Sequence, residues 1–135
     1  MDSNPLTASQ DAREAIDLIG KAEQVYLTCH VTPDGDSIGS ALGLACGLER
    51  LGKRARIASA DPVPMVYRFM PGSERIAKVK PRPEELIVIL DASDLERLGA
   101  IYDAELYRDR PIINIDHHVT NVRFGTVNWV PQAVA

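Results

Sequence analysis

Residues 25–50 read VYLTCHVTPDGDSIGSALGLACGLER and contain the unit from which the fold can be predicted. Residues 25–29 are a short, apolar, β-prone run, which predicts a buried strand. The Pro-Asp-Gly sequence at 33–35 predicts a loop, because proline and glycine favour turns over regular structure. Residues 37–51 have helical character and are followed by a glycine that can end a helix. The stretch therefore predicts a strand, a loop and a helix in succession.

The predicted helix carries glycines at positions 39, 43 and 47, which lie on one face because they are four residues apart. Glycine lets a neighbouring backbone approach closely, so we expect this face to pack on a sheet. The same spacing can indicate helix dimerisation in a membrane. That interpretation does not suit a short segment that ends in Glu49 and Arg50.

Strands and helices alternate along the rest of the chain. Apolar runs predict further strands at 54–59, 86–90, 111–115 and 126–130. Helices are predicted at 11–22, after a capping box of Ser93 with Glu96 as far as Gly99, and at 101–107. The proline-rich segment 61–83 is expected to be a loop with one short helix at 66–70. Apolar strands that alternate with helices predict an α/β fold, with a parallel sheet flanked by helices on both faces.

Length and composition fit one globular domain over residues 1–135, with 45% hydrophobic and 25% charged residues. The net charge of −4 excludes a generally basic nucleic-acid surface, although it allows a local positive groove. No apolar run approaches the roughly 20 residues of a membrane span, and the polar start does not resemble a secretory signal. We therefore expect a soluble, cytoplasmic protein in which Cys29 and Cys46 are reduced, buried thiols.

Every histidine and four aspartates follow three of the predicted strands closely. These residues are His30, Asp34, Asp36, Asp91, Asp116, His117 and His118. A single aspartate or histidine in such a position is usually a turn former, a helix cap or a structural residue. Ligands of open parallel sheets, however, bind outside the carboxyl ends of the strands, where all seven side chains would meet. Their coincidence after three strands favours one functional site.

Carboxylates and imidazoles at this density are typical of divalent metal sites. Mixed nitrogen and oxygen donors favour Mn²⁺, Mg²⁺ or Fe²⁺ over metals that prefer thiolates, and the set exceeds the needs of one tetrahedral zinc ion. A carboxylate can bridge two ions, and a two-metal site activates water for phosphoryl hydrolysis. The residues thus predict a metal-dependent hydrolase.

Two other phosphate-binding patterns fit less well. Asp34-Gly35-Asp36 has a superficial similarity to the aspartyl-phosphate phosphatases of the haloacid dehalogenase type. In those enzymes the first aspartate directly ends the strand, whereas residues 30–33 intervene here. The glycines at 35, 39 and 43 do not give the G-x-G-x-x-G spacing of a dinucleotide site.

Three segments together resemble the DHH phosphoesterase superfamily. They are HVTPDGDSIGS at 30–40, DASD at 91–94 and DHH at 116–118, in the family order and each after a predicted strand. The resemblance covers roughly residues 14–131. The sequences Arg-Leu-Gly at 97–99, Thr-Asn at 120–121 and Phe-Gly at 124–125 favour the bacterial RecJ-like branch. Enzymes of that branch, the nanoRNases and pAp phosphatases, degrade short oligonucleotides and dephosphorylate 3′-phosphoadenosine 5′-phosphate (pAp).

The resemblance implies two Mn²⁺ ions, with Mg²⁺ as a possible substitute, and a short oligonucleotide or nucleotide as substrate. The implied ligands are His30 and Asp34 for the first ion, Asp36 and His117 for the second, and Asp91 for both. His118 would face the substrate phosphate, and Asp116 would orient the histidines. For Asp94 a helix-capping role is at least as strong an expectation as ligation.

The family pattern continues past Ala135 with a further aspartate ligand and a C-terminal GGGH-type substrate domain. Residues 131–133 also depart from the acidic, serine-rich continuation that is usual there. We therefore expect an incomplete DHH N-terminal domain with a tighter first and a weaker second Mn²⁺ site, and with hydrolysis of short oligonucleotides near background even in excess Mn²⁺. A truncated form, a fragmentary product and an unusual short member all fit this expectation.

The three motifs do not distinguish between several substrates, or between an enzyme and a binding module. Cyclic dinucleotides, pyrophosphate, polyphosphate and longer single-stranded DNA are alternative substrates for the same metal chemistry. A non-catalytic metal-binding or nucleotide-binding module is the alternative outside enzymes. The sequence predicts no membrane partner, and it does not indicate an oligomeric state.

Overall fold

Residues 9–131, which the computed structural model describes, build one five-stranded parallel sheet. The strands are β1 (Gln24–Thr28), β2 (Arg54–Ala58), β3 (Leu86–Leu90), β4 (Ile112–Ile115) and β5 (Val127–Trp129). Their spatial order is β2-β1-β3-β4-β5, and every neighbouring pair is parallel. The predicted α/β fold is confirmed, and each strand lies within one residue of its predicted bounds. The polar start at 1–8 and residues 132–133 lie outside the described part of the chain.

The helices are α1 (Gln10–Lys21), α2 (Gly35–Arg50) and α3 (Ala104–Tyr107), with 3₁₀ segments at Met65–Tyr67, Ser73–Arg75 and Leu95–Ile101. The hydroxyl of Ser9 caps α1 by accepting a hydrogen bond from the backbone N–H of Ala12 at 3.1 Å. The carboxylate of Asp34 caps α2 in the same way, through the N–H of Ser37 at 2.9 Å. The proline-rich loop contains two short 3₁₀ turns where the sequence predicts one short helix.

The order of the strands reverses between β1 and β3. From β1 the chain passes through α2 to β2 on one side, and it then returns to place β3 on the other side of β1. A crevice opens at the carboxyl ends of two such strands, because their connections leave in opposite directions. The first two predicted motifs follow β1 and β3, so the fold brings them to this crevice.

Alternate residues of the strands supply two hydrophobic cores, one on each face of the sheet. In β1, Val25 and Leu27 face the core that α1 and α2 cover, whereas Tyr26 belongs to the opposite core. The opposite core is covered by Leu98 of the last 3₁₀ segment and Tyr107 of α3, among others. This coverage of both faces explains why the strands are apolar throughout.

The glycine face of α2 does not pack on the sheet, so that prediction is wrong. A Cβ atom at Gly43 or Gly47 would meet nothing within 4 Å, and one at Gly39 would touch only the side chain of Met70. The face that packs instead carries Ala41 and Ala45, which are fully buried. Alanine is small enough to allow close packing and favours the helix more than glycine does.

The prediction of two buried thiols is half correct. Cys29 is buried at the end of β1, and this burial raises the pKa of its thiol to about 11. Cys46 is exposed, because it lies on the outer side of α2 beside Gly47. Both cysteines are free, as predicted.

The 3₁₀ segment after β3 begins one residue later than the capping box indicates. Its cap is Asp94, whose carboxylate accepts a hydrogen bond from the N–H of Arg97 at 3.1 Å, and not Ser93. Gly99 interrupts the segment with a φ of 61° and a ψ of −136°, as expected of a helix stop. A Cβ atom at Gly99 would lie 2.6 Å from the Val31 side chain, so glycine is required there for space and conformation.

No helix within residues 9–131 has both the length and the apolar character that a membrane crossing needs.

Substitution Gly99→Ala should destabilise the fold by at least about 2 kcal/mol, because it adds a clash to a strained backbone. Chemical denaturation measures the loss. Gly47→Ala is the matched control, since its Cβ atom has free space on a helix, and it should raise stability by up to about 1 kcal/mol. Equal effects of the two substitutions would contradict the packing of Gly99 against Val31.

Candidate metal centre

His30 lies at the end of β1 and is 4% exposed. Its Nδ1 atom is 2.6 Å from the carbonyl oxygen of Val31, which can only accept a hydrogen bond. Nδ1 therefore carries a hydrogen, and Nε2 is the atom that faces two carboxylates. It lies 3.6 Å from Oδ1 of Asp34 and 3.5 Å from Oδ2 of Asp91.

The loop after His30 is fixed by contacts with more distant parts of the chain. The N–H of Val31 donates to the carbonyl of Arg97 at 2.6 Å. Thr32 has a positive φ of 48°, and its N–H donates to Oδ2 of Asp61 at 2.7 Å. These bonds hold the loop so that Asp34 caps α2 and still faces His30.

Asp91 directly follows β3 and is the central group of the cluster. Its side chain is 7% exposed, and its two oxygens point to different imidazoles. Oδ1 is 3.0 Å from Nε2 of His117, whereas Oδ2 is 3.5 Å from Nε2 of His30. The backbone has a φ of 56°, a conformation that is uncommon outside glycine and often marks a functional position.

The segment after β4 completes the cluster. Nε2 of His117 lies 3.3 Å from Oδ2 of Asp36, so this ring bridges Asp36 and Asp91. The rings of His117 and His118 are neighbours, with centroids 4.6 Å apart. Nδ1 of His118 is 2.6 Å from Oδ1 of Asp116, whose side chain is fully buried.

The structure thus brings together all seven side chains that the sequence places at the carboxyl edge of the sheet. Asp94 is not among them, since it caps the 3₁₀ segment. Of the two adjacent histidines, His118 but not His117 lies within hydrogen-bond distance of Asp116. The ligand and catalytic roles that the resemblance implies remain predictions.

The sequence analysis noted Asn121 only as part of the Thr-Asn pair at 120–121, and it did not predict the contacts that Asn121 and Asn114 make around Asp116. Nδ2 of Asn121 donates to Oδ2 of Asp116 at 2.8 Å, and Asn114 in turn donates to Asn121 at 2.9 Å. One signal was present, because Asn114 interrupts an otherwise apolar strand, and a buried amide needs a partner. Its partner could not be identified from the sequence.

The donor set fits a divalent cation. An unprotonated Nε2 beside two carboxylates is repelled by them, so a proton or a metal ion must lie between these groups. Ligand atoms about 2.0–2.2 Å from one ion are about 3–3.5 Å apart at octahedral or tetrahedral angles. The observed separations of 3.0–3.6 Å agree with this spacing. Within residues 9–131, two groups could each hold an ion, and Asp91 belongs to both: His30, Asp34 and Asp91, and Asp91, Asp116, His117 and His118.

The pKa values show the same need for positive charge. The hydrogen bond with Asp91 is the largest of the effects that raise the pKa of His30 above its ordinary value. Burial by itself raises the pKa of Asp91, but His30 and His117 outweigh it and hold that pKa below the ordinary value. Burial by itself lowers the pKa of His117, but Asp91 and Asp36 outweigh this and raise it.

The fold and the site define an α/β domain with a candidate divalent metal centre at the switch point of a parallel sheet. The family model for the DHH family, N-terminal domain, matches residues 24–133. The chain belongs to the DHH family, and the resemblance of its three motifs is confirmed.

Two relatives and one solved structure extend this result. The chain is 41% identical over 113 residues to the bifunctional oligoribonuclease and PAP phosphatase NrnA of Thermus thermophilus, covering 82% of this chain and 33% of that protein. It is 30% identical over 102 residues to an uncharacterized protein of Methanocaldococcus jannaschii, covering 73% and 30%. An exopolyphosphatase-related protein from Bacteroides fragilis superposes with a TM-score of 0.75 and 25% identity, over 87% of this chain and 37% of that one. The chain spans about a third of the length of the curated relatives it matches.

In the absence of metal, the free energy of unfolding should fall as the pH is raised from about 6 to about 9. The pKa values of His30 and His117 are higher in the folded chain than in the unfolded one, so their protonated imidazoles stabilise the fold below the unfolded pKa of about 6.5. This stabilisation is lost as the pH rises through the pKa values of the folded chain. The lowered pKa of Asp91 acts oppositely, and its contribution is lost only in acid.

Urea denaturation in a chelator measures this dependence. Adding Mn²⁺ should reverse the trend, because the ion competes with protons for the imidazoles and binds better as the pH rises. Stability without metal that stays constant or rises over this range would contradict the coupling of the two histidines to Asp91.

Proposed function

We propose that the chain forms the metal-holding part of a Mn²⁺-dependent phosphoesterase. The observation that carries this proposal is the position of Asp91, whose two oxygens face His30 and His117 separately. A carboxylate in this position can bind one ion through each oxygen. His30 and Asp34 would complete the first site, and Asp36 and His117 the second.

Other residues of the cluster would act on the substrate. A bound metal pair supplies Lewis acidity and an activated water for attack on phosphorus. His118 is partly exposed beside the proposed ions, and its bond to Asp116 directs Nε2 away from that carboxylate. His118 would therefore face the phosphate through Nε2, while Asp116 holds the ring.

Short oligonucleotides and pAp are the proposed substrates of the whole protein. The support is the 41% identity to an oligoribonuclease and PAP phosphatase over most of this chain. Polyphosphate is a second candidate, which the structural similarity to an exopolyphosphatase-related protein favours at the lower identity of 25%.

Calorimetric titration with Mn²⁺ tests the metal sites. Asp91→Asn should weaken binding at both sites by at least about tenfold, because a shared anionic ligand is lost while the side chain keeps its shape. Asp94→Asn is the matched control and should bind Mn²⁺ as the native chain does, since Asp94 only caps a 3₁₀ segment. Equal affinities of the native chain and Asp91→Asn would contradict the bridging role.

A cleavage assay tests the substrate class. With Mn²⁺ present, we expect slow hydrolysis by the native chain, in which mononucleotide is released from a dinucleotide and AMP from pAp faster than phosphate from polyphosphate. Asp91→Asn serves as the blank and should abolish any native turnover, because it removes the carboxylate that both proposed ions would share. Faster cleavage of polyphosphate would favour the second candidate. A native rate equal to that of the blank would overturn the proposed activity for this chain.

A further inference from the structure

The side-chain amide of Asn121 uses every hydrogen bond it can make. Nδ2 donates to Oδ2 of Asp116 at 2.8 Å and to the carbonyl of Ala92 at 3.2 Å. Oδ1 accepts from Nδ2 of Asn114 at 2.9 Å and from the N–H of Arg123 at 2.7 Å. An amide has two donors and two acceptor lone pairs, so these four bonds fix its orientation. A rotated amide would set its NH₂ group against two other donors.

The buried side chain of Asn114 lowers the stability of the fold in a way that an apolar residue in β4 would not. Its side chain is fully buried, and Nδ2 donates to both Asn121 and Asn128, the latter at 3.3 Å. Within residues 9–131 its Oδ1 has no hydrogen-bond partner. A buried polar atom without a hydrogen-bond partner destabilises a fold, whereas an apolar residue at the same position would avoid this loss. A functional role is one explanation for a buried polar atom that remains without a partner.

The two oxygens of Asp116 have separate partners. Oδ1 lies 2.6 Å from Nδ1 of His118, and Oδ2 accepts from Asn121. The rotation of a carboxylate is restrained when each of its oxygens has a different hydrogen-bond partner. The orientation of Asp116, and hence of the His118 ring, therefore depends on Asn121.

We propose that Asn121 is a positioning residue: through Asp116 it holds His118 in the Nδ1–H tautomer and presents Nε2 to the substrate. Asn114 orients Asn121 from the sheet. The proposal rests on the proposed function for the task of His118, but the tautomer is a property of the chain alone. The tautomer can therefore be measured without metal, substrate or turnover.

The chain offers a matched pair of variants. Asn121→Asp keeps an acceptor for Asn114 and for the N–H of Arg123, but it removes the donor to Asp116. Asn128→Asp also keeps its acceptors and removes one donor, which goes to the carbonyl of Gly125 at 2.9 Å. Both variants add the same charge to the same asparagine network, and only the first alters a contact of Asp116.

Nitrogen NMR of the ¹⁵N-labelled 135-residue chain, without metal and at a pH where the imidazole is neutral, reports the tautomer of His118. The native chain and Asn128→Asp should show the Nδ1–H form, whereas Asn121→Asp should show a mixture with Nε2–H. Three results would each overturn the proposal: a native Nε2–H form, an unchanged tautomer in Asn121→Asp, or an equal shift in both variants. If Asn121→Asp fails to fold, Asn121→Ser replaces it. The His118 tautomer is then compared between the native chain and Asn121→Ser, and the same results would overturn the proposal.

A kinetic comparison separates positioning from a purely structural role. In the Mn²⁺-dependent dinucleotide assay, Asn121→Asp should lower kcat by about 10–100-fold while KM and Mn²⁺ affinity stay at native values. Asn128→Asp should keep the native kcat. Equal losses in the two variants would overturn the proposal in favour of a structural role. A native chain that cleaves no substrate would overturn the proposed function, and the NMR result would still decide the role of Asn121.

Discussion

The carboxylate of Asp91 imposes the constraint on which the rest of the site depends. It is almost fully buried at the carboxyl end of β3, the central strand of the sheet, where desolvation opposes its charge. It remains ionised because two imidazoles face its two oxygens. Each of these imidazoles also faces another aspartate, so the charge of one group is tied to all the others. The cluster is therefore an electrostatic unit that needs positive charge from protons or from metal ions.

The carboxylates at the two ends of the sheet are paired with different kinds of cationic side chain. At the amino end, the buried Glu85 forms a bidentate pair with Arg56, with both nitrogen–oxygen distances at 2.6 Å. That charge is balanced permanently, since an arginine does not lose its proton. At the carboxyl end, the aspartates of the cluster form ion pairs only with histidines among residues 9–131. Histidine can release its proton, so this end can exchange protons for metal ions.

The sequence predicted the strands and the convergence of seven side chains because both follow from local patterns. Apolar runs set the strands, and parallel strands bring the residues that follow them to one edge. The packing face of α2 was mispredicted because small residues recur every four positions on two faces, Gly39 with Gly43 and Ala41 with Ala45. Close packing needs a small residue but not a glycine, so spacing alone could not choose between the faces. The buried face is the one that Ile38 and Leu48 share with the alanines.

Asn114 and Asn121 show why the remaining part of the site could not be predicted. Their hydrogen bond joins a strand to the loop that follows the Asp-His-His triplet, and a polar residue in a strand does not identify its partner. The same limit applies to Asp61, which holds Thr32 from 29 positions away. Residues that carry charge in a motif can be found by their type and spacing, whereas those that orient them are found only through contacts. In this fold such contacts come from β4, as for Asn114, and from loops that follow strands, as for Asn121 and Asp61.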